Sequence, residues 1–311
     1  IPTADGMPIL EVYDADNLSA KPFKMDAKPM EMTGFSWVSD DKILFNARLK
    51  VRDKIEGWNQ GVYERAGGML TIAKDRKQSK SKKIEEPFRV VSDLPTKPNK
   101  ILLAFYSRTD TKSMSRYDRT PTYYEYDINT GRRQVTFKGG GKVNGIRFDP
   151  EGNPRFGSGY NGVTNSFETF YRTKGSSDWK LINARHREDF ENWSPIGPDL
   201  AVPGNLLVRA NNGNNTVGLW SFNPEKKTYD ELIYKRSDVD VGYRRHTNPH
   251  TNPDEITAVS YRAGRETKYE WFNGDEKALY DLLKDLIPHS DRMSIYDRIA
   301  DGSRMLVYNY G

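Results

Sequence analysis

Glu188, Asp189 and Glu191 crowd one short stretch beside His186, Arg187 and Trp193. Carboxylates gathered this closely can hold a cation, and a charge-assisted hydrogen bond to an ammonium is strongest where water is scarce. These three acids are the candidate binding residues; a plain surface turn is the simpler reading of the same stretch. His246 and His250 stand four apart, the spacing of zinc ligands on a helix. Pro249 lies between them and no H-E-x-x-H pattern is present, so the segment reads as a solvated loop and no metal is expected. His186 and His289 carry no partner pattern. With no cysteine, a disulfide scaffold, a thiolate metal site and a cysteine nucleophile are excluded. A serine nucleophile on a strained strand-to-helix turn would show as G-x-S-x-G, which is absent; Gly157-Ser158-Gly159 has the wrong spacing and reads as part of a hairpin. No catalytic residue is therefore expected within the chain, and no motif asks for a cofactor.

Lys74, Arg76, Lys77, Lys80, Lys82 and Lys83 share one stretch with Ser79 and Ser81. A groove for single-stranded nucleic acid interleaves its charges with stacking rings. This stretch has none, so it reads as a flexible solvated loop, and no nucleic-acid partner is expected. The neighbouring Glu85-Glu86 are expected to pair with its lysines. Elsewhere the charges nearly balance, since these six account for the excess of 48 basic over 43 acidic residues. No run approaches the roughly 20 apolar residues of a membrane helix, and an aromatic share of 12% is too rich for a disordered chain.

The elements that would position these residues are short. Apolar runs such as Ile101-Leu102-Leu103-Ala104-Phe105 and Ile256-Thr257-Ala258-Val259 are bounded by turn residues such as Asn129-Thr130-Gly131 and Pro150-Glu151-Gly152-Asn153. This is the pattern of strands and tight turns. Residues 275–287 differ. Leu279, Leu282, Leu283 and Leu286 form a helical stripe, with Asn273 as cap and Pro288 as stop. Strands ending at Tyr13, Ile72, Tyr126, Tyr171, Phe222 and Phe272 recur at intervals of 59, 54, 45, 51 and 50 residues. The two long intervals are attributed to the Lys/Ser stretch and to a loop over 109–120. A period near 40–50 with four strands per unit is that of a β-propeller. Hairpins at Phe35–Phe45, Gly145–Phe156 and Ile299–Tyr308, with Asp or Gly at the turn, begin units. Five internal units and a half at each end predict an all-β, seven-bladed type of propeller: one domain over 1–311, truncated at both ends, with one inserted helix. Tyr13, Tyr126, Tyr171, Trp220 and Trp271 recur at the blade period and are expected to pack between blades rather than form a carbohydrate face.

These patterns resemble the N-terminal propeller of the prolyl oligopeptidase (S9) family, which includes dipeptidyl aminopeptidases and acylaminoacyl peptidases. The segments that carry the resemblance are Phe35–Phe45, Tyr126–Arg132, Tyr269-Glu270-Trp271-Phe272-Asn273 with the Leu-rich helix, and Asp301–Val307. The helix after the Trp-Phe strand is the most particular of them. The resemblance implies a non-catalytic domain that caps a serine peptidase active site and filters short peptides. Its partner would be a C-terminal α/β-hydrolase domain that this chain lacks. It also implies that carboxylates between units meet the substrate's ammonium, although no motif match carries Glu188, Asp189 or Glu191 over. Two alternatives remain: a TolB-like scaffold for protein interaction, and a glycoside-active propeller with inward carboxylates about 5–9 Å apart. The chain begins at Ile1, which reads as a processed or cut terminus; a signal peptide lost there favours the periplasm over the cytoplasm.

Overall fold

The computed structural model describes residues 6–53, 61–73, 79–84, 86, 88–106 and 120–310. The chain forms two compact units, Ile1–Gly139 and Gly140–Gly311. Lys74, Arg76, Lys77, Glu85 and most of the 109–120 segment lie outside the described residues.

The first unit opens with a hairpin of β1 (Leu10–Val12) and β2 (Phe23–Met25). A four-stranded sheet follows: β3 (Glu31–Ser39), β4 (Lys42–Arg52), β5 (Val62–Ile72) and β6 (Ser79–Ile84), paired in chain order. The next sheet is β7 (Phe88–Ser92), β8 (Lys100–Phe105), β9 (Thr122–Asp127) and β10 (Arg133–Lys138), again antiparallel. The core lies between these sheets. Leu44, Met69 and Ile84 of one pack with Phe88, Ile101, Leu103, Phe105 and Tyr126 of the other. Gly67 on β5 allows the approach, because a Cβ there would come 2.5 Å from the Phe88 ring.

The second unit repeats the plan. Its sheets are β11 (Asn144–Phe148), β12 (Pro154–Asn161), β13 (Ser166–Tyr171) and β14 (Lys180–His186), then β15 (Trp193–Pro198), β16 (Leu206–Ala210), β17 (Gly218–Asn223) and β18 (Thr228–Tyr234). A three-stranded sheet follows, β19 (Val241–Arg245), β20 (Ile256–Ala263) and β21 (Glu266–Trp271), with α1 (Gly274–Leu286) in the chain position of a fourth strand. The hairpin of β22 (Met293–Arg298) and β23 (Met305–Asn309) ends the unit. Side chains between neighbouring sheets again make the core: Phe156, Tyr171 and Ile182 meet Leu206, Val208 and Phe222, while Ile196, Leu207 and Leu219 meet Ile256 and Val259. Successive antiparallel meanders with their cores between them are β-propeller blades. Five internal units flanked by two hairpins match the sequence-based expectation.

The turns close for local reasons. Asp127 Oδ1 accepts the N–H groups of Asn129 at 3.0 Å and Thr130 at 2.8 Å, and Gly131 supplies a φ of 75°. Those backbone donors, Thr130 first, and then Lys100 hold the Asp127 carboxyl well below the usual carboxylate range.

Several expectations need correction. The Lys/Ser stretch is not a loop where it is described: Ser79–Ile84 is the edge strand β6, paired with β5 from Ile72↔Ser79 to Gly67↔Ile84. Glu86 pairs with Arg133 at 2.7 Å rather than with a lysine. The long first interval, Tyr13 to Ile72, ends before the Lys/Ser stretch begins and contains the eleven-residue strands β4 and β5. Among the periodic aromatics, Tyr126 and Tyr171 are each buried between sheets of their own unit and Trp220 packs against the cluster of Tyr171, but Tyr13 is 46% exposed.

The helix forms as expected and packs differently. Asn273 caps it, accepting from the N–H groups of Asp275 and Glu276. Leu282 and Leu286, however, are 55% and 68% exposed. The anchors are Tyr280, whose ring packs edge-on to Tyr269 and tilted against Trp271 at 5.3 and 5.4 Å, and the buried Glu276. Asn273→Ala is expected to cost about 1 kcal/mol, read as a lower urea midpoint, and Asn273→Gly only a few tenths. An unchanged midpoint for Asn273→Ala would show that the side-chain cap contributes nothing.

Candidate functional site

The acidic residues lie on the six-residue connection from β14 to β15, facing the connection from β16 to β17. Its first turn is tied by backbone. Asp189 N–H donates to the His186 carbonyl at 3.0 Å, and Asp189 Oδ2 accepts the His186 N–H at 3.0 Å. Arg185 Nη1 donates to the Asp189 carbonyl at 2.8 Å. The second half docks on the facing loop: Asn192 N–H donates to Asn211 Oδ1 at 2.7 Å, and Gly213 N–H donates to Glu191 Oε1 at 3.2 Å. The result is an open cleft of about 630 Å³, with Glu188, Asp189, Phe190 and Glu191 on one side and Asn211, Asn214 and Asn215 on the other.

The structure thus brings Glu188, Asp189 and Glu191 to one cleft, but all three are exposed rather than buried. Two are occupied locally, Asp189 by its turn and Glu191 by Gly213. Glu188 is the carboxylate that accepts no hydrogen bond among the described residues. Its side chain is 84% exposed and 4.0 Å from His186 Nδ1. That nitrogen already accepts the Glu188 N–H at 3.3 Å, so it has no proton to offer the carboxylate. Trp193 turns away into the core, edge-on to Phe222 at 5.4 Å. Phe190 was not singled out in the sequence; it is 98% exposed and gives the cleft its apolar wall. Behind the cleft, burial pushes the Tyr229 hydroxyl up to about 12, with the Glu191 charge adding to the shift.

The histidine pair is only partly the loop expected. His246 is largely buried, and its Nδ1 accepts the Asn248 N–H at 3.0 Å. The remaining proton then sits on Nε2, which faces Glu276 Oε1 at 3.6 Å. Glu276 also accepts from Thr247 N–H at 3.1 Å and Thr247 Oγ1 at 2.7 Å, and lies 3.7 Å from Arg298 Nη1. This buried carboxylate fastens the 246–252 loop, α1 and β22 together. Among the described residues no helix is long and apolar enough to cross a membrane.

No family model matches the chain, and no curated protein matches it in sequence. Solved structures do. Prolyl oligopeptidase B from Galerina marginata is 8% identical, over 84% of this chain and 34% of its own, with a TM-score of 0.43. The acylaminoacyl peptidase of Pyrococcus horikoshii is 12% identical, over 98% of this chain and 47% of its own, at 0.40. TolB from Acinetobacter baumannii is 15% identical, over 76% and 51%, at 0.35. The chain spans about a third to a half of the length of each. Likeness at this level does not assign it to a family.

Proposed function

We propose that this chain is the non-catalytic propeller domain of a serine peptidase of the prolyl oligopeptidase type. It caps the active site of an α/β-hydrolase domain and admits short peptides. The observation that carries the reading is the fifth unit, where α1 follows the Tyr269–Phe272 segment in the place of a fourth strand. That helix is the most particular feature of the sequence resemblance. The glycosidase alternative finds little support. Among the first strands of the three- and four-stranded sheets, Glu31 on β3 is bidentate to Arg48, and β7, β11, β15 and β19 carry no acid.

In this role Glu188 is the residue that meets a substrate ammonium, with Asp189 and Glu191 shaping the cleft around it. The test belongs in the full-length enzyme. Glu188→Gln is expected to raise KM for peptides with a free amino end, lowering kcat/KM about ten- to a hundredfold. Peptides with a blocked amino end keep their rates, since they present no cation. Equal losses on both would mean that the residue acts through folding or docking, and no loss on either would remove it from the site.

The chain itself is expected to hydrolyse nothing. Purified, it should neither cleave aminoacyl or acylaminoacyl chromogenic substrates nor label with a fluorophosphonate probe. Stoichiometric labelling of any serine would overturn the non-catalytic assignment.

A further inference from the structure

The hairpin of β22 and β23 is fastened at both ends. At its turn, Arg298 Nη1 faces Glu276 of α1 at 3.7 Å, and the Ala300 carbonyl accepts Asn248 Nδ2 at 3.0 Å. At the other end, Asn309 Nδ2 donates to the Pro288 carbonyl and Tyr310 N–H to the Arg292 carbonyl, both at 3.1 Å. An antiparallel ladder alternates hydrogen-bonded and non-hydrogen-bonded pairs. Counting back from Tyr310, Tyr308 and Leu306 turn their backbone groups towards β22, and Val307 and Met305 turn theirs to the outer edge. Among the described residues, no strand pairs with that edge. The extra residue of the ladder lies on β22, between Ile295 and Asp297, so β23 itself is regular.

An open edge invites pairing with another chain unless a charge or a proline guards it. The other edge strands among the described residues carry such a guard. On β6 it is Lys80, Lys82 and Lys83, on β15 it is Pro195 and Pro198, and each of the rest holds at least one charged residue. The strand β23, Met305-Leu306-Val307-Tyr308-Asn309, has neither. Leu306, Tyr308 and Tyr310 alternate onto one face and are 58%, 53% and 62% exposed, with the two tyrosine rings 4.3 Å apart. The strand is also self-complementary. An antiparallel two-fold centred on Val307 sets Leu306 opposite Tyr308 of a second copy, Met305 opposite Asn309, and Arg304 opposite Tyr310. Val307 then exchanges both backbone bonds with its own counterpart. No like charges meet, and an aromatic–aliphatic cross-strand pair forms twice. Two hairpins so joined make a sheet of four strands, the size of the larger sheets in this chain. A two-fold contact closes at two copies.

We propose that the outer edge of β23 is an interaction surface, and that its partner is β23 of a second copy of this chain. The pairing is independent of whether the chain caps a peptidase. The test is sedimentation velocity of the purified chain over a range of concentrations. Dimer is expected to predominate at about 100 μM, the affinity of a small transient interface. Two double variants test the register. Leu306→Lys with Tyr308→Lys sets lysine opposite lysine twice and should weaken the dimer at least about tenfold. Leu306→Lys with Tyr308→Glu sets lysine opposite glutamate twice and should keep it. Both replaced side chains are more than half exposed, so circular dichroism and melting should match the parent. Hydrogen exchange at the Val307 amide should slow as the parent is concentrated and stay fast in the Lys/Lys variant. A chain that stays monomeric overturns the proposal and leaves the edge to a strand of another protein or domain. A dimer that survives the Lys/Lys change lies elsewhere, and equal loss in both double variants rules out the two-fold on Val307. Assembly that grows past two copies would overturn it in favour of an open, head-to-tail contact.

Discussion

Glu276→Ala is expected to lower stability by about 3–5 kcal/mol, the usual cost of breaking a buried ion pair from one side. The carboxylate is 3% exposed and satisfies two donors of Thr247. Arg298 Nη1, at 3.7 Å, and the Nε2 proton of His246, at 3.6 Å, face it from two other elements. Alanine removes the acceptor and leaves a largely buried guanidinium facing an empty space. Glu276→Gln keeps one acceptor for Thr247 and loses only the charge, so it should cost less. The measurement is urea unfolding of each variant, with Arg298→Ala and the double variant to complete the cycle. Coupling between positions 276 and 298 should exceed about 1 kcal/mol if the pair acts as described. A loss under about 1 kcal/mol for Glu276→Ala would mean that water replaces the carboxylate and that the loop is not fastened through it.

The sequence shows the blade plan because turns punctuate it. Asp40-Asp41, Asn129-Thr130-Gly131 and Pro150–Asn153 each break an apolar run where the structure turns a hairpin. The helix is equally visible, through its leucine stripe, Asn273 and Pro288. The strand β6 is not. Lys80, Ser81, Lys82 and Lys83 are exposed and only Ile84 is buried, so no apolar alternation marks it. Its strand character comes from backbone pairing with β5 alone, and lysines on an edge strand guard against pairing with other chains. The acidic cleft was half legible. Local carboxylate density is a property of the sequence, but whether each acid is free depends on backbone donors such as the Gly213 N–H, from a loop 22 residues away. Glu276 gave no signal at all. An acid in the first turn of a helix is ordinary dipole chemistry, and its burial follows only from the loop and the hairpin that close over it.

Leu103→Ala is expected to cost about 2–5 kcal/mol, the range for truncating a buried leucine. Leu103 is fully buried on the inner strand β8, in the cluster that joins the first unit's two four-stranded sheets. The cavity would open among Leu44, Met69 and Phe105, which belong to paired strands and cannot collapse into it without breaking register. Leu103→Met conserves volume and should cost less than about 1.5 kcal/mol. Leu286→Ala serves as the control: that side chain is 68% exposed, and its loss should stay within about 0.5 kcal/mol. Hydrogen exchange at the β8 and β9 amides reads the effect locally, without assuming that the two compact units unfold in one step. Protection should fall at those amides in Leu103→Ala and stay unchanged in Leu286→Ala. Comparable loss of protection in the two variants would place the stabilising core on the exposed face of α1 rather than between the sheets, and the propeller account of the core would be wrong.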